Sequence, residues 1–343
     1  MNICITGGGT GGHLMIAQAL AEAASKRGDK VVFIGSLNGQ DRSYFEDSSL
    51  VKSCYFLETG GVVNQKGFGK VKALLKIFKA LLLSRKILKK HKIQAVYSVG
   101  GFSAAPASFA SFTLFIPLFI HEQNARSGRL NAILKPFAKR FISAYEASSP
   151  IQGYPVKEVF YKNAYVRKKI KTVIFLGGSQ GARYINDLAL CVAQELHTHG
   201  VKIIHQCGTN DLLRVQTAYE ELKIEAEIYG FSKDIASLMQ RADLAISRAG
   251  ASTLWELVTS GLPAIFIPYP YAASDHQYFN ASFIVEHTMG WCYREAQEEE
   301  IKRELFTLLD KDLHEQSSKL LAYAKNGVAD AMIEDLHRCA NVK

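Results

Sequence analysis

The chain has little with which to build a disulfide or metal framework. Its six cysteines, Cys4, Cys54, Cys191, Cys207, Cys292 and Cys339, form no C-x-x-C pair and have no nearby histidine partner. That spacing excludes a zinc ribbon and a stapled secreted scaffold, and it reads as reduced, mostly buried thiols in a cytosolic protein. No leader is expected either, since the chain runs at once into the apolar strand Asn2–Thr6 and leaves no room for a charged n-region and an apolar h-region. An uninterrupted membrane span is also missing. The one long uncharged run, 102–120, is broken by Pro106 and Pro117 and dotted with Ser or Thr at 103, 108, 111 and 113. It reads as a buried helix, Phe102–Phe112, followed by a strand, Pro117–Ile120.

Acidic residues are absent over a long stretch: none lies between Glu58 and Glu122, while ten cations fall between Lys66 and Lys92. The net charge of +9 is therefore uneven, with residues 1–155 carrying +12 and residues 156–343 carrying −3. Nucleic acid would suit the charge, but aromatic interleaving is sparse and no RNA or DNA motif appears, so no nucleic-acid partner is expected. Val71, Leu74, Leu75, Phe78, Leu81, Leu82 and Leu88 recur at helical spacing, with Lys70, Lys72, Lys76, Lys79, Lys86 and Lys89 largely on the other side. This is a cationic amphipathic helix. It fits a helix packed on the sheet with a solvated basic face, and equally an element resting on an anionic membrane with the loop Gly60 to Gly69, carrying Val62, Val63 and Phe68, dipping into the interface.

What is present in abundance is alternation. Apolar strands at Asn2–Thr6, Lys30–Ile34, Ala95–Val99, Leu118–His121 and Arg140–Ala144 are followed by Thr172–Leu176, Lys202–Gln206, Glu225–Tyr229, Leu244–Ser247, Ala264–Ile267 and Gly290–Tyr293, with helical stretches between them. With 343 residues at 48% hydrophobic content, that pattern predicts an α/β protein of two doubly wound parallel sheets. The break falls near the Pro-, Gly- and Ser-rich segment 148–155. It divides the chain into domains of 1–152 and 153–324, with a final helix, about 325–343, able to cross back.

Each half opens in the same way. Asn2–Thr6 leads into Gly7-Gly-Gly-Thr-Gly-Gly12 and His13, and Val173–Leu176 leads into Gly177-Gly-Ser-Gln-Gly181, each followed by a helix. Glycine turns ahead of helix starts bring backbone N–H groups and partial positive charge to an anion. Such loops lie at the carboxyl ends of the strands, so the two halves are expected to offer them to a shared cleft. Gly7, Gly9 and Gly12 also match G-x-G-x-x-G, but the second strand ends Phe33-Ile-Gly-Ser36 with no carboxylate there for a ribose, which argues against a nicotinamide enzyme.

The richest chemistry lies between Arg241 and Ala281. Leu244–Ser247 runs into the small-residue turn Arg248-Ala-Gly-Ala-Ser-Thr253, then a helix carrying Glu256. A carboxylate one turn into such a helix can accept both hydroxyls of a ribose, although Thr253 and Glu256 also have capping-box spacing. Ser274-Asp-His-Gln-Tyr-Phe-Asn280 adds polar groups after a strand, where sugar hydroxyls would be read.

Taken in order, Gly8-Gly-Thr-Gly-Gly-His13, His121-Glu-Gln-Asn124, Gly177-Gly-Ser-Gln-Gly-Ala-Arg183, Arg248-Ala-Gly-Ala through Glu256, and His276-Gln-Tyr-Phe-Asn-Ala281 closely resemble the MurG family of peptidoglycan N-acetylglucosaminyltransferases. The resemblance spans nearly the whole chain. It implies a GT-B fold, no cofactor, and inverting transfer of N-acetylglucosamine from UDP-N-acetylglucosamine to the C4 hydroxyl of the muramyl sugar of lipid I, giving lipid II. It further implies a peripheral enzyme on the cytoplasmic face of the bacterial inner membrane, meeting an anionic lipid surface and possible cell-wall synthesis proteins.

Carried over by position, the resemblance puts Thr10, Gly11, Gly12 and Asn124 near the donor sugar and acceptor pyrophosphate, and Ser179 on the donor diphosphate. Phe231 and Ser232 flank the uracil, Ala251, Ser252 and Thr253 meet the phosphates with Leu254 in the same binding set, Glu256 takes the ribose, and Gln277 the sugar hydroxyls. Lys157 stands where arginine is frequent, which keeps a charge but not the bidentate fork. Ile16 and Ala105 replace a usual proline and glycine. His13 is the leading candidate for the base, alongside a loop-shaping or phosphate-binding role. Glu122 is the second candidate, or else an organiser of loops. No Asp-x-Asp metal clamp stands beside the glycine turns, so helix starts and Lys157 are expected to meet the leaving charge. Another GT-B enzyme on a UDP-sugar, a glycolipid glycosyltransferase or a UDP-sugar epimerase, is the alternative reading.

Overall fold

The computed structural model describes residues 1–59, 68–178 and 181–340, with the side chains of 68–74 left out. Val62, Val63, the Phe68 side chain and Ser179 therefore lie outside the described residues. The chain forms two compact units, Met1–Val156 joined by Gly327–Lys343, and Lys157–Asn326.

In the first unit, β1 (Asn2–Thr6), β2 (Lys30–Ser36), β3 (Ser53–Leu57), β4 (Ala95–Ser98), β5 (Leu118–Glu122) and β6 (Arg140–Ser143) form one parallel sheet in the order β3-β2-β1-β4-β5-β6. The second unit repeats that order with β7 (Thr172–Leu176), β8 (Lys202–Gln206), β9 (Ala226–Tyr229), β10 (Leu244–Ser247), β11 (Ala264–Phe266) and β12 (Trp291–Cys292), arranged β12-β11-β10-β7-β8-β9. Read from β9, this is the same doubly wound topology, in which the winding reverses between the first and fourth strands of each unit. Ligand loops belong at the carboxyl ends on either side of that switch, and the glycine turns follow β1 and β4 in one unit and β7 and β10 in the other.

Strand residues such as Ile3, Ile5, Val96, Phe175 and Ile246 are fully buried, because helices cover both sheet faces. In the second unit, Leu188, Val192 and Leu196 of the helix Arg183–Thr198 close over Val173, Phe175 and Ile203. The C-terminal helix Val328–Ala340 belongs to the first unit, where it packs on the helix Gly11–Lys26 and Asp335 receives Arg140 Nε at 3.2 Å. β3 was not evident in the sequence. It is a half-exposed edge strand whose register to β2 starts at Val32 opposite Ser53, and its apolar run Cys54–Leu57 is too short to tell strand from helix by itself.

The basic helix spans Phe68–Lys90, and its apolar positions divide between core and solvent. Ala80, Ser84, Ile87 and Leu88 face inward, whereas Leu75, Phe78 and Leu82 stand in solvent. The segment 102–120 folds as a helix, Ala105–Thr113, behind a short 3-10 turn, and then β5. Among the described residues no helix is long and apolar enough to cross a membrane.

Candidate active site

The first unit's loop is held before any ligand arrives. A Cβ on Gly101 would sit 2.3 Å from Gly8 O, and Gly7 takes φ +121° with its own Cβ position 2.4 Å from Gly100 O, so the turns after β1 and β4 touch through bare backbone. Gly8 N donates to Gly100 O at 3.2 Å. Gly9 N donates to Asp41 Oδ2 at 2.7 Å and Ser36 N to Asp41 Oδ1 at 2.8 Å. Asp41 is thus the acid near the end of β2, and both its oxygens serve the loop.

The helix after this loop begins at Gly11, earlier than the sequence suggested, with Thr10 as its N-cap residue and no side-chain cap. That places His13 in the first turn. Thr10 Oγ1 lies 3.0 Å from His13 Nδ1, and Gln123 Nε2 lies 2.9 Å from His13 Nε2. The run His121–Asn124, which ends β5, therefore meets the first glycine loop through Gln123. His121 itself is fully buried beside Tyr154, and burial, helped by nearby His13, pushes it down to about 3. It stays neutral.

Glu122 is committed elsewhere. Its Oε1 accepts from Asn124 N at 3.0 Å, and its Oε2 accepts from Gly128 N and Asn131 Nδ2, each at 2.9 Å. Burial pushes this carboxyl up, while those donors and the Asn124 side chain pull it down. A carboxylate surrounded by N–H donors closes the loop 122–131 over itself, and burial outweighs those donors so that the carboxyl stays above its ordinary range.

In the second unit the described pocket is a cavity of about 800 Å³. Gly177, Gly178 and Gly181 form one side, Gly250 and Thr253 another, and Tyr269, Gln277 and Glu295 the rest. The helix Ala251–Ser260 starts at this wall with Gly250 as its N-cap and no side-chain cap. Thr253 therefore sits inside the helix, and its spacing to Glu256 is not a capping box. The helix start offers N–H groups and positive dipole to the cavity instead. Gln277 Oε1 accepts from Tyr269 N at 2.9 Å, which fixes the amide at the cavity wall.

Glu256 lies one turn further along that helix, where burial pushes its carboxyl up to about 8, against the opposing pull of Lys157. Lys157 is exposed at the start of the short helix Glu158–Lys162. Phe231 is exposed after β9, with Ser232 Oγ accepting from Asp234 N at 3.1 Å. These four do not line the cavity, whose wall comes from the glycine turns, the segment 269–277, Tyr184, Arg248 and Glu295. The Leu254 side chain is fully buried and its N–H bonds Gly250 O at 2.9 Å.

The sequence reading missed the cavity's charged floor. Arg248 Nη2 pairs with Glu295 Oε1 at 2.5 Å, and Nη1 donates to Ile267 O at 3.1 Å. Its guanidinium lies 5.8 Å from the Tyr184 ring and 5.5 Å from the Tyr269 ring. This clamp ties the ends of β10 and β11 to Glu295. Arg248 was visible in the turn motif, but Glu295 is 47 positions away and nothing in its local sequence marks it as a partner.

The chain matches the N-terminal domain of glycosyltransferase family 28 over residues 3–143 and the C-terminal domain of that family over residues 172–334. It is 62% identical to the UDP-N-acetylglucosamine--N-acetylmuramyl-(pentapeptide) pyrophosphoryl-undecaprenol N-acetylglucosamine transferase of Sulfurimonas denitrificans, over 98% of each chain. It is 53% identical to the transferase of the same name from Wolinella succinogenes, over 97% of this chain and 99% of that one. The crystal structure of Acinetobacter baumannii MurG superposes with a TM-score of 0.81 at 28% identity, covering 98% of this chain and 99% of that one. A forosaminyltransferase, SpnP, shares the fold alone, with a TM-score of 0.71 at 12% identity.

Proposed function

The chain belongs to glycosyltransferase family 28, and from that premise we propose that it transfers N-acetylglucosamine from UDP-N-acetylglucosamine to the muramyl sugar of lipid I. What carries this reading is identity of 62% to a transferase of that name across 98% of both chains. The second unit takes the donor. Its diphosphate meets the start of the helix Ala251–Ser260 and the turn at 177–181, with the role of Ser179 assigned from its place in that turn. Glu256 accepts the ribose hydroxyls, Phe231 and Ser232 bracket the uracil, and Gln277 reads the sugar.

The reaction is a direct displacement with inversion. The acceptor C4 hydroxyl attacks C1 of the donor sugar, and the bond from C1 to the β-phosphate oxygen breaks. His13 takes the hydroxyl proton while helix starts and Lys157 stabilise the departing UDP. Glu122 holds the loop that carries Asn124, and Thr10, Gly11 and Gly12 face the acceptor pyrophosphate.

The acceptor's polyprenyl tail fixes it in a bilayer, so the first unit must dock on lipid. Phe78 on the basic helix is 57% exposed, and Phe115, just past the helix Ala105–Thr113, is 96% exposed. Phe112 and Phe137 meet edge-on, with ring centroids 5.2 Å apart, and both are exposed. These rings, in a unit that also exposes Lys79, Lys86 and Lys139, suit a surface that inserts side chains among anionic headgroups, consistent with a peripheral place on the cytoplasmic face of the inner membrane.

Radiolabel transfer from UDP-N-acetylglucosamine to a short-chain lipid I analogue tests the assignment. Labelled product is expected only with the muramyl acceptor present. UDP release without that acceptor, or epimerised donor, would favour the rival UDP-sugar enzymes.

A further inference from the structure

The helix Phe68–Lys90 ends at the edge of the first sheet where the strands begin, and it ends on charge. Lys89 and Lys90 close its last turn, and Lys92 follows in left-handed backbone at φ +49°. The Asn2 side chain donates to His91 O at 3.0 Å and to Lys92 O at 3.3 Å, so β1 fixes this terminus. Lys30, the first residue of β2, and Lys52, just ahead of β3, stand beside it. Asn2, Lys30, Lys52, Lys90, His91 and Lys92 line a cavity of about 210 Å³. That is about seven times the ~30 Å³ a water molecule occupies in the liquid, which leaves room for a phosphate and bridging waters.

A helix C-terminus accounts for Lys89 and Lys90, whose charge complements the dipole. It does not account for Lys30 and Lys52, which arrive from two strand starts and converge on the same hollow. Among the described residues no carboxylate pairs with any of the four lysines lining it. Asp29, the acid next to Lys30, is taken by the Met1 amine at 2.5 Å and by His337 at 2.7 Å. Like charges gathered without a counter-charge repel one another, and a bound anion removes that cost. The field is felt locally: His91, whose Nε2 meets Tyr55 Oη at 2.7 Å, is held below the usual imidazole range by burial and then by Lys90 and Lys52.

The hollow is not part of the transfer site. All five residues of β1 separate it from the glycine loops, and ligands of doubly wound sheets bind at the opposite, carboxyl end of the strands. We propose that this lysine-lined pocket is a second, phosphate-binding site of the first unit, taking either a free phosphomonoester or the phosphate of an anionic lipid headgroup. The same helix carries Phe78, so a headgroup held here would orient the first unit on the bilayer. A free phosphate would instead make the enzyme responsive to the soluble phosphate pool.

The test follows the His91 ring signal in the full-length protein by NMR at constant ionic strength, assigned with His91→Gln. The probes are inorganic phosphate and dihexanoyl-phosphatidylglycerol below its micelle concentration, with chloride and dihexanoyl-phosphatidylcholine as controls. A saturable shift, with the His91 titration midpoint moving upward, is expected with one of the two anionic probes. Phosphate alone identifies a free phosphate site, and tighter phosphatidylglycerol binding identifies a headgroup site. The double variant Lys52→Gln/Lys92→Gln, changed only at exposed positions, is expected to weaken the response about tenfold while UDP binding is kept. No saturable shift with either probe, or a shift the double variant retains in full, overturns the proposal.

Discussion

The side-chain amide nitrogen of Gln123 lies 2.9 Å from Nε2 and 3.2 Å from Nδ1 of His13, over the face of the imidazole, while Thr10 Oγ1 stands 3.0 Å from Nδ1. Contacts with Thr10 and Gln123 fix the orientation of the ring at the start of the helix Gly11–Lys26.

If His13 is the base, Gln123→Ala lowers kcat about tenfold and moves the acidic limb of the kcat profile to higher pH, because the amide N–H dipole that disfavours the imidazolium is gone. Donor KM is expected to stay close to wild type. A purely structural Gln123 would lower kcat without moving the limb. Steady-state transfer measured across pH 6 to 9 separates the two.

Glu122 behaves as a strut. Glu122→Ala leaves the N–H groups of Asn124, Gly128 and Asn131 without their acceptor, and is expected to cost about 3 kcal/mol of stability in denaturant unfolding. Glu122→Gln is expected to cost less and to leave the pH profile unmoved. A profile that lost its acidic limb in Glu122→Gln would make Glu122 the base.

Glu256 gives a prediction with a definite sign. A carboxyl raised to about 8 is protonated at pH 7, whereas a ribose held by two hydroxyl donors requires the carboxylate. UDP binding at pH 7 is therefore expected to release close to one proton, seen as a dependence of calorimetric enthalpy on buffer ionisation, and Glu256→Gln abolishes it. Stability follows the same linkage. The folded protein holds this proton up to about pH 8, so the group's stabilising contribution is present below the ordinary carboxyl range and is lost as pH rises through about 8. Glu256→Gln should raise the unfolding midpoint at pH 9 more than at pH 5.

The exposed rings make a separate prediction. Each of Phe78→Ser and Phe115→Ser is expected to weaken binding to phosphatidylglycerol vesicles about tenfold, since burying one such ring contributes about 1.5 kcal/mol or more. UDP affinity should not change. Lys79→Glu with Lys86→Glu should weaken vesicle binding mainly at low salt. Lys76 is a poorer choice, because it already pairs with Glu58 at 2.5 Å.

Strand positions were legible because parallel strands covered on both faces read as short apolar runs, and Thr172–Leu176 and Lys202–Gln206 match to the residue. The glycine turns were legible because only glycine permits contacts such as Gly101 against Gly8. Two kinds of feature were not. The apolar run Cys54–Leu57 of edge strand β3 is too short to tell strand from helix, and the helix Phe68–Lys90 shows an apolar spacing that a helix would have whether it faced core or lipid. Pairings across long separations, such as Arg248 with Glu295 or Asp41 with Gly9, leave no local trace, and these are what hold the loops in place.

The account rests on donor binding in the second unit, and a crystal structure with UDP-N-acetylglucosamine tests it most directly. The predicted result is a diphosphate against the start of the helix Ala251–Ser260, with the ribose on Glu256 and the sugar beside Gln277. Density for the donor on the first unit, or on the second unit away from Glu256 and Gln277, would contradict it.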